Sequence, residues 1–482
     1  MNRLLIFVIF VQLFSCTNEF NSRGPYRIAL LGRIPDSSMD PSVLEDYNLI
    51  SLLGQVCGRL TTVDQDMQVG GDIALSWKLD REDISYTFLI DTERKFFNGK
   101  NIKPEDIVFS IKRAQTSGDI GWLSDISNVE KIKYNEVKIT FKKRNPRLLY
   151  QLASSSSCIL NSNEPFIQID SRKTPNSAGA YKITSIKEKI VLTKNINFPE
   201  KHLEPLIEVY FLNQLDALEM FDKKKIDDLS FYLLSKPDIE RLKQKKVLKN
   251  RVFWSWVISL NPTSIHLNTV EARKDFFKSM DRKKILEDWQ ASVIPGSSLI
   301  PKGMQGYREF EGKLENSTFT CSSEISGAIV EGVQNDKKLK ESIEKNFLRS
   351  TGCKLKLDIL EMGQWGIDHL SGKYDFYISA VDTNSPDSLG FYRYFVKGFK
   401  ENALGYNDAV LNDVYKDLYS KELSLRTSSD YLRIDSIFKE THYSYVLGYP
   451  VFEFVYASDV VRAHMHPLGM HMNRWWDIGR NK

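Results

Sequence analysis

Cysteine, charge of one sign and long apolar runs are all scarce in this sequence. Only five of the 482 residues are cysteines, and none of them has the close C-x-x-C spacing of a zinc or redox site. The 66 basic and 62 acidic residues nearly cancel along the chain, which removes the electrostatic argument for nucleic acid as a partner. Beyond residue 16, no stretch approaches the roughly 20 apolar residues that a membrane-spanning helix needs.

Local motifs of catalysis are also missing. The sequence contains no H-E-x-x-H metal site, no P-loop, no dinucleotide fingerprint and no nucleophile placed beside a base. Acidic residues distant in sequence could still meet as the carboxylate pair of a glycosidase, and this alternative stays open. We therefore predict that the protein is not an enzyme, and we expect no cofactor and no metal.

The amino terminus carries a secretion signal over residues 1–15. Arg3 precedes an unbroken apolar run over residues 4–11, and the run is followed by Leu13, Ser15 and Cys16. Such a run is too short to span a membrane, and its ending resembles a bacterial lipobox, in which the cysteine after the cleavage site carries diacylglycerol. Cys16 is therefore predicted to be lipidated and to hold the protein on a membrane outside the cytoplasm. The alternative is an ordinary signal peptide with an incidental cysteine.

The other four cysteines are an even number in a compartment where disulfides form. Four cysteines allow three connectivities, and four buried free thiols are a further possibility. Pairing Cys57 with Cys158, and Cys321 with Cys353, would keep each bridge within one of the lobes predicted below.

Apolar periodicity alternates between that of strands and that of helices, which predicts a mixed α/β protein. Residues 46–60 have helical spacing, and residues 251–260 are apolar on both faces, as expected of one strand buried in a sheet. A helix is predicted to begin at Pro104, whose missing N–H suits a first turn. The same reasoning predicts further strands over 26–31, 137–141, 180–183, 190–192, 207–212, 355–360 and 376–381, and helices over 270–280 and 364–371.

Four sequence blocks over residues 75–77, 86–88, 95–99 and 102–110 carry a family resemblance. Their order and spacing resemble those of the bacterial extracellular solute-binding proteins of family 5, the receptors of oligopeptide, dipeptide and nickel ABC importers. The resemblance implies a two-lobed, type II (cluster C-like) periplasmic-binding-protein fold with an extra inserted subdomain. It also implies a monomer that binds a small peptide or other solute between its lobes and delivers it to permease subunits.

The same resemblance predicts where the lobes begin and end. We expect a lipid-anchored tether over 16–24, lobe I over 25–45, 171–255 and 456–482, the inserted subdomain over 46–170, and lobe II over 256–455.

The predicted binding segment is a strand that ends at Asp382, four residues before Pro386. In peptide-binding members of the family, a strand of this pattern pairs with the peptide backbone, and its aspartate binds the α-ammonium group. The resemblance therefore implies that Ser379, Ala380 and Val381 pair with a peptide. It further implies that Asp382 makes a charge-assisted hydrogen bond to the amino group of that peptide.

This segment also departs from the family pattern. Ser379 stands where the pattern has tryptophan, and Thr383 where it has tyrosine. A receptor of the same fold for a nickel chelate, a sugar or a signalling molecule is therefore an alternative. Another alternative is that Asp382 only caps the strand or begins a turn with Asn384 and Pro386.

Glu45, Trp365 and Tyr392 complete the predicted ligand-binding residues. Trp254 and Trp256 could also line a cavity with their large amphipathic rings, but core packing is favoured for both. Three of the seven histidines, His464, His466 and His471, lie within eight residues and could bind a metal, although no neighbouring cysteine or carboxylate completes a ligand set.

Overall fold

The computed structural model describes residues 24–34, 39–43, 46–81, 84–117, 121–200, 203–308, 318–321, 323–331, 333–383, 385–463, 465–469 and 472–481. None of the helices in these ranges is long and apolar enough to cross a bilayer. The strands are β1 Tyr26–Leu30, β2 Thr61–Val63, β3 Val69–Gly71, β4 Ala74–Asp80, β5 Ser85–Ile90, β6 Ile126–Lys133, β7 Glu136–Phe141, β8 Phe166–Ile169, β9 Arg172–Pro175, β10 Tyr181–Ile186, β11 Ile190–Lys194, β12 Leu206–Phe211, β13 Lys245–Arg251, β14 Trp254–Leu260, β15 Val293–Pro295, β16 Ile325–Val330, β17 Leu355–Leu360, β18 Phe376–Asp382, β19 Ser444–Ala457, β20 Val460–Arg462 and β21 Gly479–Arg480. The α-helices are α1 Tyr47–Val56, α2 Pro104–Ser117, α3 Leu148–Gln151, α4 Gln214–Asp222, α5 Lys236–Arg241, α6 Val270–Lys278, α7 Arg282–Trp289, α8 Asp336–Thr351, α9 Met362–Ser371, α10 Ala409–Ser420 and α11 Ser428–Thr441.

Seven strands form the large sheet, in the order β13-β19-β14-β18-β16-β17, with β15 paired to β19. Two hydrophobic clusters contribute to the packing on this sheet. One contains buried residues of α6, α7 and α8, and the other contains buried residues of α10 and α11. Strand β18, which carries the predicted binding segment, runs antiparallel to β14 and parallel to β16 in the middle of this sheet. One side of the predicted binding segment is therefore fixed by its backbone pairing with β14.

A second, four-stranded sheet has the order β1-β12-β11-β10, and Asp228 links it to the large sheet by bridging β1 and β19. Strand β19 pairs with β13 over residues 451–457 and with β14 over residues 444–448. The prediction of one strand over 251–260 is wrong in its first part, because Val252 and Phe253 lie between β13 and β14. There the backbone N–H of Phe253 donates to the carbonyl oxygen of Pro467 at 2.9 Å.

A third sheet, which we call the insert sheet, has the order β4-β5-β7-β6 and packs against α2. The chain enters this region after α1, which ends at Val56 because the backbone at Cys57 is extended (φ −86°, ψ 123°). A disulfide joins Cys57 to Cys158, so both ends of the segment that contains the insert sheet are tied together. A second disulfide joins Cys321 to Cys353. The two pairings considered from the sequence are therefore confirmed.

The local predictions agree best where the sequence pattern is uninterrupted. Strand β17 spans Leu355–Leu360 as predicted, and α2 begins at Pro104 with Glu105 and Asp106 in its first turn. Acidic side chains at this end of a helix complement its dipole. The mixed α/β class is confirmed, whereas the lobe boundaries stay predictions.

Asp228 joins the two sheets and gives a prediction for stability. Its backbone bridges Ile28 of β1 and Tyr456 of β19, and its side chain accepts a hydrogen bond from the hydroxyl of Tyr26 at 3.1 Å. Burial raises the pKa of Asp228 to about 6. The folded carboxyl keeps its proton to a higher pH than the unfolded one, so this group costs stability as the pH rises from about 4 to about 6.

Asp228→Asn should remove this cost. Its single amide oxygen can still accept from the backbone N–H of Ser230, and its NH₂ group can donate to the hydroxyl of Tyr26, which then acts as the acceptor. As the pH rises from 4 to 7, the free energy of unfolding of the variant should therefore increase by on the order of 2 kcal/mol relative to that of the wild type. Denaturant unfolding at several pH values measures this gain, and Asp66→Asn serves as a control because Asp66 is exposed. Parallel pH profiles for wild type and Asp228→Asn would contradict the prediction.

Candidate functional site

A cavity of about 450 Å³ lies beside β18 and is the candidate binding site. This volume is within the range of about 300 to 1,000 Å³ found for small-molecule sites. The cavity is walled by residues that follow β16, by one side of α9, and by the segment that follows β18. Its aromatic lining consists of Trp254, Trp256, Trp365, Tyr394, Phe395 and Tyr406.

The cavity meets β18 along the edge of the strand. Strand β18 pairs with β14 along its whole length, but among the described residues its register with β16 covers only Phe376–Ile378. The next three residues, Ser379, Ala380 and Val381, all line the cavity. Since neighbouring side chains of a strand point to opposite faces, a cavity that touches all three must reach the edge between them. An extended ligand could therefore add to this edge.

Asp382 ends β18 directly after Val381, the last residue of the strand that lines the cavity. Its Oδ1 accepts hydrogen bonds from Nη2 of Arg393 at 3.0 Å and from the hydroxyl of Tyr394 at 2.6 Å. Nε of Arg393 lies 3.3 Å from Oε1 of Glu401, so the guanidinium forms ion pairs with two carboxylates. The role of Asp382 as a partner of a ligand ammonium group stays a prediction.

Arg393 and Tyr394 are placed by the 3₁₀ segment Ser388–Phe395. Asp387 caps this segment by accepting from the backbone N–H of Leu389 at 3.0 Å, and it forms a fully buried ion pair with Arg426. Burial alone would lower the pKa of Arg393, but Tyr394, Asp382 and Glu401 raise it, so the guanidinium stays charged. Arg393 and Glu401 were not predicted from the sequence, because nothing in their local pattern marks them as neighbours of Asp382.

Trp365 and His369 form the wall of the cavity on α9. Their rings stack with centroids 4.5 Å apart and planes inclined by 29°. Burial lowers the pKa of His369 to about 4, so the imidazole is neutral near pH 7. Trp365 therefore lines the cavity, and the imidazole of His369 adds an uncharged polar ring to the same wall. The binding role of Trp365 stays a prediction.

Other predicted residues lie elsewhere or outside the described ranges. Tyr392 is fully buried away from the cavity, and its hydroxyl donates to Asp435 at 3.1 Å. Its ring packs edge-on against Phe438. We therefore assign Tyr392 to the core. Glu45 and Cys16 lie outside the described residues.

The two tryptophans of β14 have both of the roles considered from the sequence. Trp256 is 4% exposed and packs against Trp289, with ring centroids 6.2 Å apart. Trp254 packs edge-on against Phe452 at 5.4 Å. Both rings also line the cavity. Core packing therefore holds in place the rings that shape the site.

The histidine cluster offers little support for a metal site. His464 and His471 lie outside the described residues. His466 is buried, with Nε2 donating to the carbonyl oxygen of Asp64 at 2.8 Å and Nδ1 accepting from the N–H of Leu468 at 3.1 Å. Within the part of the chain that the structure describes, no three histidine, cysteine or carboxylate side chains are grouped so as to hold a metal ion.

A contact joins the insert to the end of α10 and to the residues just after it, and we call it the latch; none of its residues lines the cavity. Arg144 and Arg81 both pair with Glu422, Arg81 at 3.5 Å. The guanidinium of Arg147 lies 4.9 Å from the ring centroid of Tyr419. A cation over an aromatic face is stabilised further when it is desolvated, and Arg147 is only 4% exposed. The latch therefore joins the insert to the helices that follow β18.

Comparison with known proteins matches this chain over most of its length. The model of the bacterial extracellular solute-binding proteins, family 5 Middle, matches residues 68–403. The dipeptide-binding protein DppE of Bacillus subtilis (strain 168) is 21% identical over 447 residues, covering 79% of this chain and 78% of that protein.

Solved structures share the fold at low sequence identity. The periplasmic binding protein DppA of Helicobacter pylori, in complex with the peptide STSA, has a TM-score of 0.81 and 17% identity, with 95% of this chain and 98% of that chain covered. NikA of Staphylococcus aureus, in complex with Ni(L-His)2, has a TM-score of 0.76 and 17% identity, with 92% and 97% covered. These matches confirm the predicted two-lobed periplasmic-binding-protein fold. Together with the family match, they establish that the chain belongs to the bacterial extracellular solute-binding proteins of family 5.

Proposed function

We propose that this protein is the extracytoplasmic receptor of an ABC importer and that it captures a short peptide in the cavity beside β18. The open edge at Ser379–Val381 is the observation that carries the proposal. A strand edge beside a cavity binds extended peptides through main-chain hydrogen bonds, while the cavity walls receive side chains. The dipeptide-binding protein DppE and the complex of DppA with the peptide STSA support the same ligand class.

A receptor for a small non-peptide solute, such as a metal chelate, is the second candidate. The aromatic lining and the pairing of Asp382 with Arg393 favour it, because neither requires a peptide terminus. The likeness to NikA, which is in complex with Ni(L-His)2, supports this second candidate. In either case we propose that the protein binds without turnover, is anchored through Cys16, and passes its ligand to permease subunits.

Native mass spectrometry of protein purified from its own host, followed by calorimetry with what it retains, tests the ligand class. Ala380→Trp should fill the cavity at the strand edge and weaken binding roughly 100-fold, since overpacking a formed site forces its walls apart. Ala409→Trp is the matched control, because Ala409 is exposed at the start of α10. Retention of only non-peptide molecules would favour the second candidate, and conversion of the ligand would contradict binding without turnover.

The latch gives a prediction for closure of the lobes. Tyr419→Leu combined with Glu422→Gln should weaken the interaction free energy of the latch by about 1 to 2 kcal/mol. If the latch favours the closed form, the unliganded variant should be more open and bind about 5- to 30-fold more weakly. Small-angle scattering should then show a larger radius of gyration than for the wild type.

Asp417→Asn is the control for the latch. Asp417 lies on α10, like Tyr419, but its side chain is exposed and pairs with Arg433 of α11. It should leave both the radius of gyration and the affinity unchanged. A latch variant that scatters and binds like the wild type would show that this contact does not control closure.

A further inference from the structure

Asp382 already has a cation beside it, and that cation belongs to the protein. Oδ1 of Asp382 accepts from Nη2 of Arg393 at 3.0 Å and from Tyr394 at 2.6 Å. The family resemblance predicts that the ammonium group of a ligand binds at this position. In this chain, a guanidinium from the 3₁₀ segment after β18 takes that place.

Arg393 is held from several sides. It is 8% exposed, its Nε lies 3.3 Å from Glu401, and its Cζ lies 5.0 Å from the ring centroid of Tyr394. A ligand ammonium would have to displace this group from two carboxylates or bind next to its positive charge. Both cost free energy, because a buried charge is destabilised strongly when it loses its partner or meets a like charge.

The rest of the cavity gives a ligand cation little compensation. Its walls are mostly aromatic and aliphatic, and burial keeps the pKa of His369 near 4, so that ring is neutral. Three charged side chains also line the cavity. Glu331 and Lys400 are exposed and thus well solvated, and Glu401 is already paired with Arg393. A cavity with this lining favours uncharged groups.

We propose that Arg393 is the built-in counter-ion of Asp382 and that the cavity selects ligands whose end at β18 is uncharged. Such ligands are short peptides with a blocked amino group, or comparable neutral amides. The inference rests on the proposed function and narrows its substrate class. In this arrangement Asp382 is a positioning residue, which holds Arg393 and the cavity-lining Tyr394.

Calorimetry with a tripeptide library tests the inference, each peptide being offered with a free and with an acetylated amino group. The wild type should bind the acetylated form of its preferred peptides at least as tightly as the free form. A preference for free amino groups of about tenfold or more would overturn the inference and leave the proposed function intact. If no member binds in either form, the proposed peptide receptor fails and this inference fails with it.

Variants of Arg393 separate specificity from folding. Arg393→Met should expose the charge of Asp382 and shift the preference by about tenfold or more toward free amino groups. Arg393→Lys should keep the wild-type preference, and Asp382→Asn added to Arg393→Met should cancel the shift. Arg433→Met, on the exposed side of α11, is the matched control. If Arg393 had only a structural role, Arg393→Met would weaken the binding of free and acetylated peptides equally. An unchanged ratio of these two affinities in the folded variant would therefore overturn the inference.

Discussion

Replacing Cys16 by alanine is expected to move the protein from the membrane fraction to the soluble fraction almost completely. Each buried methylene of an acyl chain contributes about 0.8 kcal/mol, so two or more chains on one cysteine give stable anchoring. The described residues contain no helix that could span a membrane and replace this anchor. Partition between detergent and aqueous phases measures the effect.

Ser15→Ala is the control for this experiment, because it keeps Cys16 and leaves a small residue before the proposed cleavage site. It should partition like the wild type. A Cys16→Ala variant that stays in the detergent phase as the wild type does would show that the anchor is not at Cys16. Release of both the wild type and the variant would favour an ordinary signal peptide.

Removing the disulfide between Cys57 and Cys158 is expected to have the largest effect on stability. The bridge closes a sequence separation of 101 residues and ties together both ends of the segment that contains the insert sheet. In the chain-entropy account, a loop of about 100 residues contributes about 4.7 kcal/mol by restricting the unfolded chain. Cys57→Ala with Cys158→Ala should lower the free energy of unfolding by a comparable amount, as measured in guanidinium chloride.

The second disulfide provides the matched control, because Cys321 and Cys353 are only 32 residues apart. The same account gives about 3.7 kcal/mol for this loop, so its double alanine variant should be about 1 kcal/mol less destabilised. Equal costs, or a larger cost for the shorter loop, would contradict the chain-entropy account. Loss of the Cys57–Cys158 bridge should also loosen the attachment of the insert and thereby weaken the latch.

Local sequence patterns were enough to predict much of the fold. Strand β17 and helix α2 follow from apolar alternation and from Pro104, since both depend on neighbours within one turn or one strand. The strand predicted over 251–260 failed at Val252 and Phe253. An apolar run does not reveal that the chain changes partners from one half of β19 to the other at that point.

For the candidate site too, part could be predicted from the sequence and part could not. The sequence by itself determined the family, the strand over 376–381 and the position of Asp382 at its end, because these depend on residue order along the chain. Only the tertiary structure decided which aromatic rings face the cavity, since Trp365 and Tyr392 are both plausible from composition but only Trp365 lines it. It also decided that Arg393, eleven residues further on, pairs with Asp382. A hydrogen bond at 3.0 Å depends on how the 3₁₀ segment folds back over β18, and spacing in the sequence carries no record of that distance.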